Sequence, residues 1–346
     1  MRGPGWNTRV RAASARRAAI PLLALAVLIA GCSGPGHDAS LPLSGRPAVP
    51  STDDLAQLRA VQDARSLLEL ATAAAGSGGR VARTLATIRA NEQAHLAALG
   101  VPTPAVTDRA AAGPGPGLAR PSVSTVLAAL AKAARSGLTD LDGVSPGTAT
   151  LLARIAAGRA GDALLLARAA GRPTPQLPSV PGNPLTTTPS GPALAAADTD
   201  ALGALLAGEH AAVFGYAVVT ARLDGSRRPA AERVWLAHQT RRDELERYLV
   251  ARGAQPPVAA RAYDLGPLPQ TPDQARELAV RIEDGLATAA AGALGPASGT
   301  IRPAAATILL ASARTATGWS GKAQALPGGP ALAAPAVSPP GSSATP

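Results

Sequence analysis

Proline-rich segments divide this 346-residue sequence into stretches that can be helical and stretches that cannot. Proline lacks a backbone N–H and kinks the interior of a helix, so a segment with several prolines favours neither a helix nor a central strand. Such segments lie at 33–50, 172–197 and 326–346. Between them, apolar residues recur every three to four positions, which is the spacing of a helix that buries one face. The sequence therefore predicts an all-α fold with two helical regions and with a disordered tether, linker and tail.

The N-terminus has the features of an export signal. Residues 1–17 contain five arginines and no acid, and the apolar run Ala18–Ala30 is shorter than the ~20 residues that a membrane-spanning helix needs. The run ends in Ile29-Ala30-Gly31-Cys32, which resembles the lipobox of bacterial lipoproteins. The resemblance implies cleavage before Cys32, a diacylglycerol on its thiol, and an exported protein that is lipid-anchored to the cell membrane on the extracytoplasmic face.

Two alternatives stay open for this segment. It could be an ordinary secretory signal peptide that contains a cysteine by chance. The pair Arg16-Arg17 also leaves both Sec export and twin-arginine export open.

The charge and the cysteine content exclude several classes of function. The formal net charge is +10, but five arginines belong to the signal, so the mature chain carries +5, a mild excess that does not indicate a nucleic-acid-binding protein. Cys32 is the only cysteine, so its acylation leaves no disulfide and no thiol for catalysis or metal binding. We expect membrane lipid as one partner, an unknown protein or small molecule as another, and no nucleic acid.

Eight helices are predicted from the apolar periodicity, from Ser and Asp side chains at helix starts and from prolines in first turns. In the first region they cover 51–76, 81–99, 122–136 and 148–170. In the second region they cover 198–223, 229–252, 272–290 and 302–320. Four long antiparallel helices with modest connections form a bundle. The predicted organisation is a signal peptide at 1–31, a flexible tether at 32–50, a helical domain at 51–171, a proline-rich linker at 172–197, a four-helix bundle at 198–321 and a disordered tail at 322–346.

Several polar side chains fall on the inward stripes of the second region. The periodicity predicts a buried cluster of Glu209, His210, His238, Arg242 and Glu283. Burying an ionised carboxylate costs several kcal/mol unless a partner compensates it, so we expect Arg242 to pair with Glu209 or Glu283 while His238 or His210 completes the cluster. In the alternative, Arg242 extends to solvent and Glu209 lies at a helix edge.

Sequence motifs indicate a family for the second region. The segments "LGALLAGEHAAVFGYAVVTARL", "AHQTRRDELERYLVARGAQPP" and "RTATGWSG" resemble the bacterial family called domain of unknown function 4439 (DUF4439), which belongs to the ferritin-like superfamily. The resemblance covers about residues 198–320. The first region is similar more weakly, through Glu92-x-x-His95 in "TLATIRANEQAHLAALG". The resemblance implies two ferritin-like four-helix bundles in tandem.

The same resemblance sets an expectation about metal. A ferritin-like di-iron site takes a Glu from each of two helices and Glu-x-x-His from each of the other two. In the second region, Trp235 stands at the Glu position before His238, and the last helix supplies no ligand. In the first region, Arg159 and Asp162 stand where Glu and His are expected. We therefore expect no cofactor, and the alternative is a partial site for iron or manganese that uses Glu92, His95, Glu209 and His238.

No catalytic motif competes with this interpretation. The sequence lacks Gly-x-Ser-x-Gly, a phosphate-binding glycine loop and a His/Cys cluster. We predict a non-enzymatic helical module at the cell envelope that binds its partner through the bundle surface or the groove between its halves. The alternative is a ferritin-like metalloprotein whose partial site serves iron binding or oxidation.

Overall fold

The computed structural model describes residues 49–75, 78–102, 120–176, 178–186 and 191–329. Within these ranges the chain is helical and contains no strand, so the predicted all-α fold class is confirmed. The signal peptide, Cys32, most of the tether and the tail from residue 330 onward lie outside the described residues. The chain divides into two compact units, Met1–Pro50 and Ser51–Pro346, and every described helix belongs to the second.

Eight α-helices and one 3-10 turn, Pro184–Thr186, make up the described secondary structure. The helices are α1 (Thr52–Ala74), α2 (Gly79–Ala98), α3 (Val123–Thr139), α4 (Pro146–Ala169), α5 (Ala196–Arg222), α6 (Arg227–Ala251), α7 (Pro272–Leu294) and α8 (Arg302–Ser320). Their starts lie within two residues of the predicted ones, and the largest difference at an end is α7, which continues four residues beyond Ala290. Alanine and leucine dominate that extra turn, and both favour a helix.

Side-chain caps explain why several helices begin where they do. Ser51 Oγ accepts a hydrogen bond from the Asp54 N–H at 3.1 Å, and the Asp54 carboxylate accepts one from the Ser51 N–H at 2.9 Å. Thr271 and Gln274 form the same reciprocal pair at the start of α7, with both distances at 3.2 Å. Each pair satisfies backbone N–H groups that the first turn of a helix leaves without a partner.

The helices form two sets that share one core. Helices α1 to α4 form the first set, α5 to α8 form the second, and α4 packs along α8. The largest apolar cluster therefore contains side chains from both sets, such as Leu152 and Ala156 of α4, Leu205 of α5 and Leu309 of α8. Burial of this continuous apolar surface holds the two sets together.

Arg302, at the start of α8, also joins the two sets. Its side chain is 7% exposed, and it donates hydrogen bonds to four backbone carbonyls. The acceptors are Leu141 and Val144 in the connection between α3 and α4, at 3.1 and 2.8 Å, and Leu294, the last residue of α7, and Ala297 beyond it, at 3.2 and 3.1 Å. Such bonds satisfy carbonyls that lie beyond the regular hydrogen bonding of their helices.

The proline-rich linker is more ordered than its composition indicates. Val180 and Leu185 are 8% and 6% exposed and belong to the main core cluster, and the 3-10 turn packs on α6 and α8. The prediction that the linker is disordered is therefore wrong for this stretch. Val180 and Leu185 lie between the prolines and pack on the helices, and composition alone does not predict such tertiary contacts.

The predicted tail is also ordered at its beginning. Gly321 ends α8 with a φ of 71°, a left-handed value that favours glycine. The next residues, 322–329, which we call the C-terminal extension, run over α4. Arg154 Nε and Nη2 donate to the Pro327 and Leu326 carbonyls at 2.9 and 2.8 Å. The predicted disorder is therefore wrong for 322–329, because α4 supplies partners for this backbone.

Helix α5 is the most apolar helix of the second set. It packs against both α6 and α7. By length and composition it is the helix in the described part of the chain that could cross a membrane, but 56% of its most apolar window is buried within the protein. A core helix that contacts neighbours on several sides has the same apolar composition.

Candidate functional site

The inward polar residues of the second set form a connected cluster. Each ring nitrogen of His238 faces a carboxylate: Nδ1 lies 2.7 Å from Glu209 Oε2, and Nε2 lies 3.1 Å from Glu283 Oε1. Arg241 Nε donates to the other oxygen of Glu209 at 2.6 Å. Glu209, His238 and Glu283 are at most 1% exposed. The structure thus brings together three of the five predicted residues, from helices α5, α6 and α7.

Two aromatic side chains extend this cluster to α8. The Tyr216 hydroxyl donates to Glu283 Oε1 at 2.6 Å, and Trp319 Nε1–H donates to the Tyr216 oxygen at 3.1 Å. A continuous series of hydrogen bonds therefore runs from Arg241 to Trp319 through all four helices of the set. We call these six residues the second cluster: Glu209, Tyr216, His238, Arg241, Glu283 and Trp319.

Charged neighbours outweigh burial in setting the pKa values of Glu209 and His238. Burial alone would raise the pKa of Glu209, but Arg241 and His238 outweigh burial, so the pKa is lowered. Burial would lower the pKa of His238, but Glu283 and Glu209 outweigh it and raise the pKa. A protonated ring donates from both nitrogens, which matches a carboxylate oxygen on each side. Arg241 Nη2 also lies 2.7 Å from His238 Nδ1, and because an arginine nitrogen can only donate, this contact opposes the protonation of Nδ1 that the two carboxylates favour.

Arg242 does not join the cluster, so that part of the prediction is wrong. Its guanidinium binds the neighbouring Asp243 carboxylate at 2.6 Å, and its side chain is 29% exposed. Arg241 takes the predicted role instead. Residues three and four positions after His238 both lie on its side of the helix, so periodicity alone does not distinguish Arg241 from Arg242.

His210 also stays outside the cluster. Its Nε2 lies 3.4 Å from Glu246 Oε1, and no hydrogen-bond partner satisfies that nitrogen among the described residues. The side chain is 9% exposed. A residue adjacent to Glu209 is rotated by about 100° around the helix axis, so both cannot point to the same place.

The first set holds a second example of the same arrangement. Arg159 Nε and Nη2 donate to the two oxygens of Glu92 at 3.0 and 2.9 Å, which is a bidentate pair. His95 Nδ1 lies 3.0 Å from Glu92 Oε2, and its Nε2 lies 2.8 Å from the Ala325 carbonyl of the C-terminal extension. Burial would raise the pKa of Glu92, but Arg159 and His95 outweigh it and lower the pKa.

An amide and a second acid complete this arrangement. Asn91 Nδ2 donates to both oxygens of Asp162, at 2.8 and 3.1 Å. Burial raises the pKa of Asp162 to about 8, and the charge of Glu92 also raises it, while Asn91 and Arg159 act in the opposite direction. Asp162 is fully buried. We call these five residues the first cluster: Asn91, Glu92, His95, Arg159 and Asp162.

Sequence reasoning singled out Arg159 and Asp162 as departures from a ligand set and did not predict their contacts. Arg159 lies on a helix that is otherwise almost entirely apolar around it, and an arginine in such a position needs a buried acid as partner. That signal could have identified the Arg159–Glu92 pair. Asn91 carries no such signal, because an amide has no charge that requires compensation.

The donor sets do not fit the di-iron site that the ferritin-like resemblance implies. Both oxygens of Glu92 bind Arg159, and the two oxygens of Glu209 bind Arg241 and His238. Within the described residues, no group of three or more His, Cys, Asp or Glu side chains is arranged to hold a metal ion. Glu283 Oε2 is the one carboxylate oxygen of these two described clusters that is buried without a hydrogen-bond partner.

A groove lies beside the second cluster, between α4, α6 and α8. Its volume is about 620 Å³. Arg241 and Trp319, the two ends of the hydrogen-bonded series, both line it, together with Arg168, Arg233 and Arg314. The groove therefore connects the buried polar residues of the second set with the surface where the two helix sets meet.

Comparison with known proteins assigns a family to the second helix set. Residues 201–331 match the family model described as Domain of unknown function (DUF4439). The DUF4439 region contains the whole second cluster and extends through the C-terminal extension, beyond the predicted limit at residue 320. The first cluster's Glu92 and Arg159 lie before it.

A solved structure is similar to part of the chain. It is the crystal structure of a conserved hypothetical protein from Mycobacterium tuberculosis, which is 35% identical. The similarity covers 37% of this chain and 97% of that chain, with a TM-score of 0.34. No curated protein matches the chain.

Proposed function

We propose that this protein is a lipid-anchored module of the cell envelope that binds a partner and does not catalyse a reaction. In this proposal its two helix sets are ferritin-like bundles in which arginine has replaced metal charge. The single observation that carries the proposal is the repeated pairing of an inward Glu with both an arginine and a histidine, as Glu92–Arg159–His95 and as Glu209–Arg241–His238.

Arginine is suited to this replacement for a physical reason. A buried carboxylate without compensating charge costs several kcal/mol. A guanidinium keeps its charge in a protein interior, and its planar arrangement of donors matches the two carboxylate oxygens. A metal ion would have to displace Arg159 from Glu92 and leave a buried guanidinium without a carboxylate partner, with only the Ala133 carbonyl to bind. The chemistry of these residues therefore supports a structural role for both clusters.

The binding role is supported by the groove between the two helix sets. A concave surface of about 620 Å³ with apolar and charged lining lies in the size range of small-molecule sites. Arg241 links this surface to the second cluster through Glu209. A bound partner can thus contact a side chain whose position the buried network fixes.

Metal analysis of the full-length protein, purified from membranes in detergent, tests the non-metal part of the proposal. We expect iron and manganese well below one atom per chain, with no change in Glu92→Gln or Glu209→Gln. Near-stoichiometric iron or manganese that is lost in either variant would establish the alternative, a metalloprotein with a partial site. Asp200→Asn, which changes an exposed acid outside both clusters, is the control for nonspecific metal binding.

Fractionation tests the anchor. We expect the full-length protein in the membrane fraction and the Cys32→Ser variant in the soluble exported fraction. Ser33→Ala is the matched control, because it changes the neighbouring residue and leaves the thiol in place. A Cys32→Ser variant that stays in the membrane fraction like the wild type would contradict lipid anchoring through this residue.

A further inference from the structure

We propose that the groove between α4, α6 and α8 binds a small molecule that carries a phosphate or carboxylate group on an apolar body. The inference rests on the proposed binding function and names the chemical class of the partner. It follows from the charges that line the groove, from the apolar residues among them and from the position of the groove at the end of the second cluster.

All the charged side chains that line the groove are cationic. Four arginines from three helices line it: Arg168 of α4, Arg233 and Arg241 of α6, and Arg314 of α8. No acidic side chain is among the lining residues. Of these four arginines, only Arg241 has a carboxylate partner among the described residues, and that carboxylate, Glu209, is buried behind it.

The hydrogen bonds of the other arginines leave their charges uncompensated. Arg168 Nη1 donates to the Gly318 carbonyl at 3.0 Å, and Arg314 Nη1 donates to the Pro175 carbonyl at 2.9 Å. These carbonyls are neutral, and each bond uses one nitrogen of the guanidinium. Arg233 is exposed and forms no hydrogen bond or ion pair with the described residues. The remaining N–H groups are free to bind an anion.

Mutual repulsion of these cations supports an anionic ligand. Burial lowers the pKa of Arg314, and the nearby charge of Arg168 lowers it further. Like charges in a partly enclosed groove raise the free energy of the unliganded protein. An anion between them would remove this repulsion, and clefts lined by one sign of charge concentrate ions of the other sign. Phosphate and carboxylate also match the planar donors of arginine.

The rest of the lining indicates that the anion carries an apolar body. Leu164, Val234 and Trp319 line the groove together with alanines of α6 and α8. An isolated inorganic anion would leave this apolar surface in water, whereas an apolar body would cover it. Trp319 donates its Nε1–H to Tyr216, so the indole ring is held in place by the second cluster.

Calorimetric titration of the full-length protein in phosphatidylcholine nanodiscs tests this inference. The probe is 1-naphthyl phosphate, compared with 1-naphthol, which lacks the anion, and with inorganic phosphate, which lacks the apolar body. We expect one site for 1-naphthyl phosphate and at least tenfold weaker binding of the two partial probes. In the Arg233→Gln/Arg314→Gln variant we expect affinity for 1-naphthyl phosphate to fall at least tenfold.

Arg247→Gln is the control variant, because Arg247 is an exposed arginine of α6 that does not line the groove, and we expect it to bind like the wild type. The thermal unfolding midpoint of each variant shows whether it is folded. Equal affinity of the double variant and the wild type, or of 1-naphthol and 1-naphthyl phosphate, would overturn the inference.

A flotation arm separates a small-molecule site from a membrane-docking surface. If the Cys32→Ser protein, which lacks the proposed anchor, floats with phosphatidylglycerol vesicles in an arginine-dependent manner and does not bind 1-naphthyl phosphate, the inference would also be overturned. None of these outcomes changes the metal content or the Cys32-dependent fractionation. Failure of the groove inference is therefore distinguishable from failure of the proposed function.

Discussion

The two clusters contain the same three side chains, an arginine, a glutamate and a histidine, but they differ in their access to solvent. In the first cluster, the Arg159 side chain is 1% exposed and binds both oxygens of Glu92. In the second cluster, the Arg241 side chain is 17% exposed, binds one oxygen of Glu209 and lines the groove. The same charge compensation therefore occurs once in a closed core and once next to a surface that a ligand can reach.

The C-terminal extension explains much of this difference. The Ala325 carbonyl lies against His95, and the extension covers α4 beside the first cluster. The groove next to Arg241 stays open, although Thr174 of the proline-rich linker lines part of it. Arginine compensation alone therefore does not identify a binding site. A site also needs an opening, and only the second cluster has one.

The largest expected loss of stability follows from breaking the Arg159–Glu92 pair in the closed core of the first cluster. Replacing Arg159 with Met leaves the Glu92 carboxylate buried with His95 as its remaining partner, and removal of one member of a buried pair costs about 3–5 kcal/mol of stability. We expect urea unfolding of Arg159→Met to show a loss of this size. The double variant Glu92→Leu/Arg159→Met removes both charges, and we expect it to recover most of the loss. If Arg159→Met were as stable as the wild type, Arg159 would not be the residue that compensates the buried charge of Glu92.

The next effect concerns the contact that closes the first cluster. A Cβ at Gly158 would collide with the Ala325 carbonyl oxygen, so Gly158→Ala must displace the extension or α4. Overpacking of this kind costs about 1–3 kcal/mol. We expect the thermal unfolding midpoint to fall, and amide hydrogen exchange in the extension to accelerate.

Gly147→Ala is the matched control on the same helix, because a Cβ there meets no atom within 4 Å. We expect this variant to be at least as stable as the wild type, since alanine favours a helix more than glycine does. Equal stability of Gly158→Ala and Gly147→Ala would show that the extension does not pack as closely as described.

These two predictions involve features that the sequence did not reveal. The eight helices were predictable because each carries a repeated apolar stripe, and capping residues such as Ser51 and Thr271 mark where some of them begin. The C-terminal extension has no such pattern. Its order comes from contacts with Arg154 and Gly158, which are far away in the sequence, and tertiary contacts of this kind leave no local signal.

The residues of the two clusters were also only partly predictable from the sequence. Glu209, His238 and Glu283 lie on inward stripes, so their convergence follows from helix geometry. The choice between Arg241 and Arg242 does not, because it depends on the rotation of α6 against α5. Arg159 was recognised only as a missing ligand, although an arginine among apolar residues of a buried helix requires an acidic partner.

A smaller effect is expected at the open cluster. Arg241→Met removes one charged partner of Glu209, but His238 remains and solvent can approach through the groove. We expect a loss of about 2 kcal/mol, which lies within the range for removing a hydrogen bond to a charged group and below the loss for Arg159→Met. Urea unfolding measures both variants under the same conditions.

Arg242→Met is the matched control for this variant, because Arg242 pairs with an exposed aspartate on the surface of the same helix. A surface pair of this kind contributes about 0–1 kcal/mol, so we expect almost no change. If Arg242→Met destabilised the protein more than Arg241→Met, the assignment of Arg241 as the partner of Glu209 would be wrong.

Measured per pH unit, the smallest expected effect is a pH slope that belongs to the first cluster. The pKa of Asp162 is raised from 3.8 to about 8, chiefly by burial. Between these values the native state binds one proton more than the unfolded state, so the free energy of unfolding falls as the pH rises. The slope is at most about 1.4 kcal/mol per pH unit. Asp162→Asn removes this titration, so we expect its stability to decline less than that of the wild type between pH 5 and pH 8.

Measurement between pH 5 and pH 8 distinguishes the titration of Asp162 from that of the other buried groups. The lowered pKa of Glu92 keeps that carboxylate ionised above pH 5, and its contribution to stability is lost only at lower pH. The raised pKa of His238 makes stability fall as the pH rises above 6.5, but it does so equally in the wild type and in Asp162→Asn. Asp200→Asn, an exposed replacement, should keep the wild-type slope. Parallel stability curves for wild type and Asp162→Asn would mean that Asp162 is ionised in the folded protein, and the first cluster would then be less sealed from water than its burial indicates.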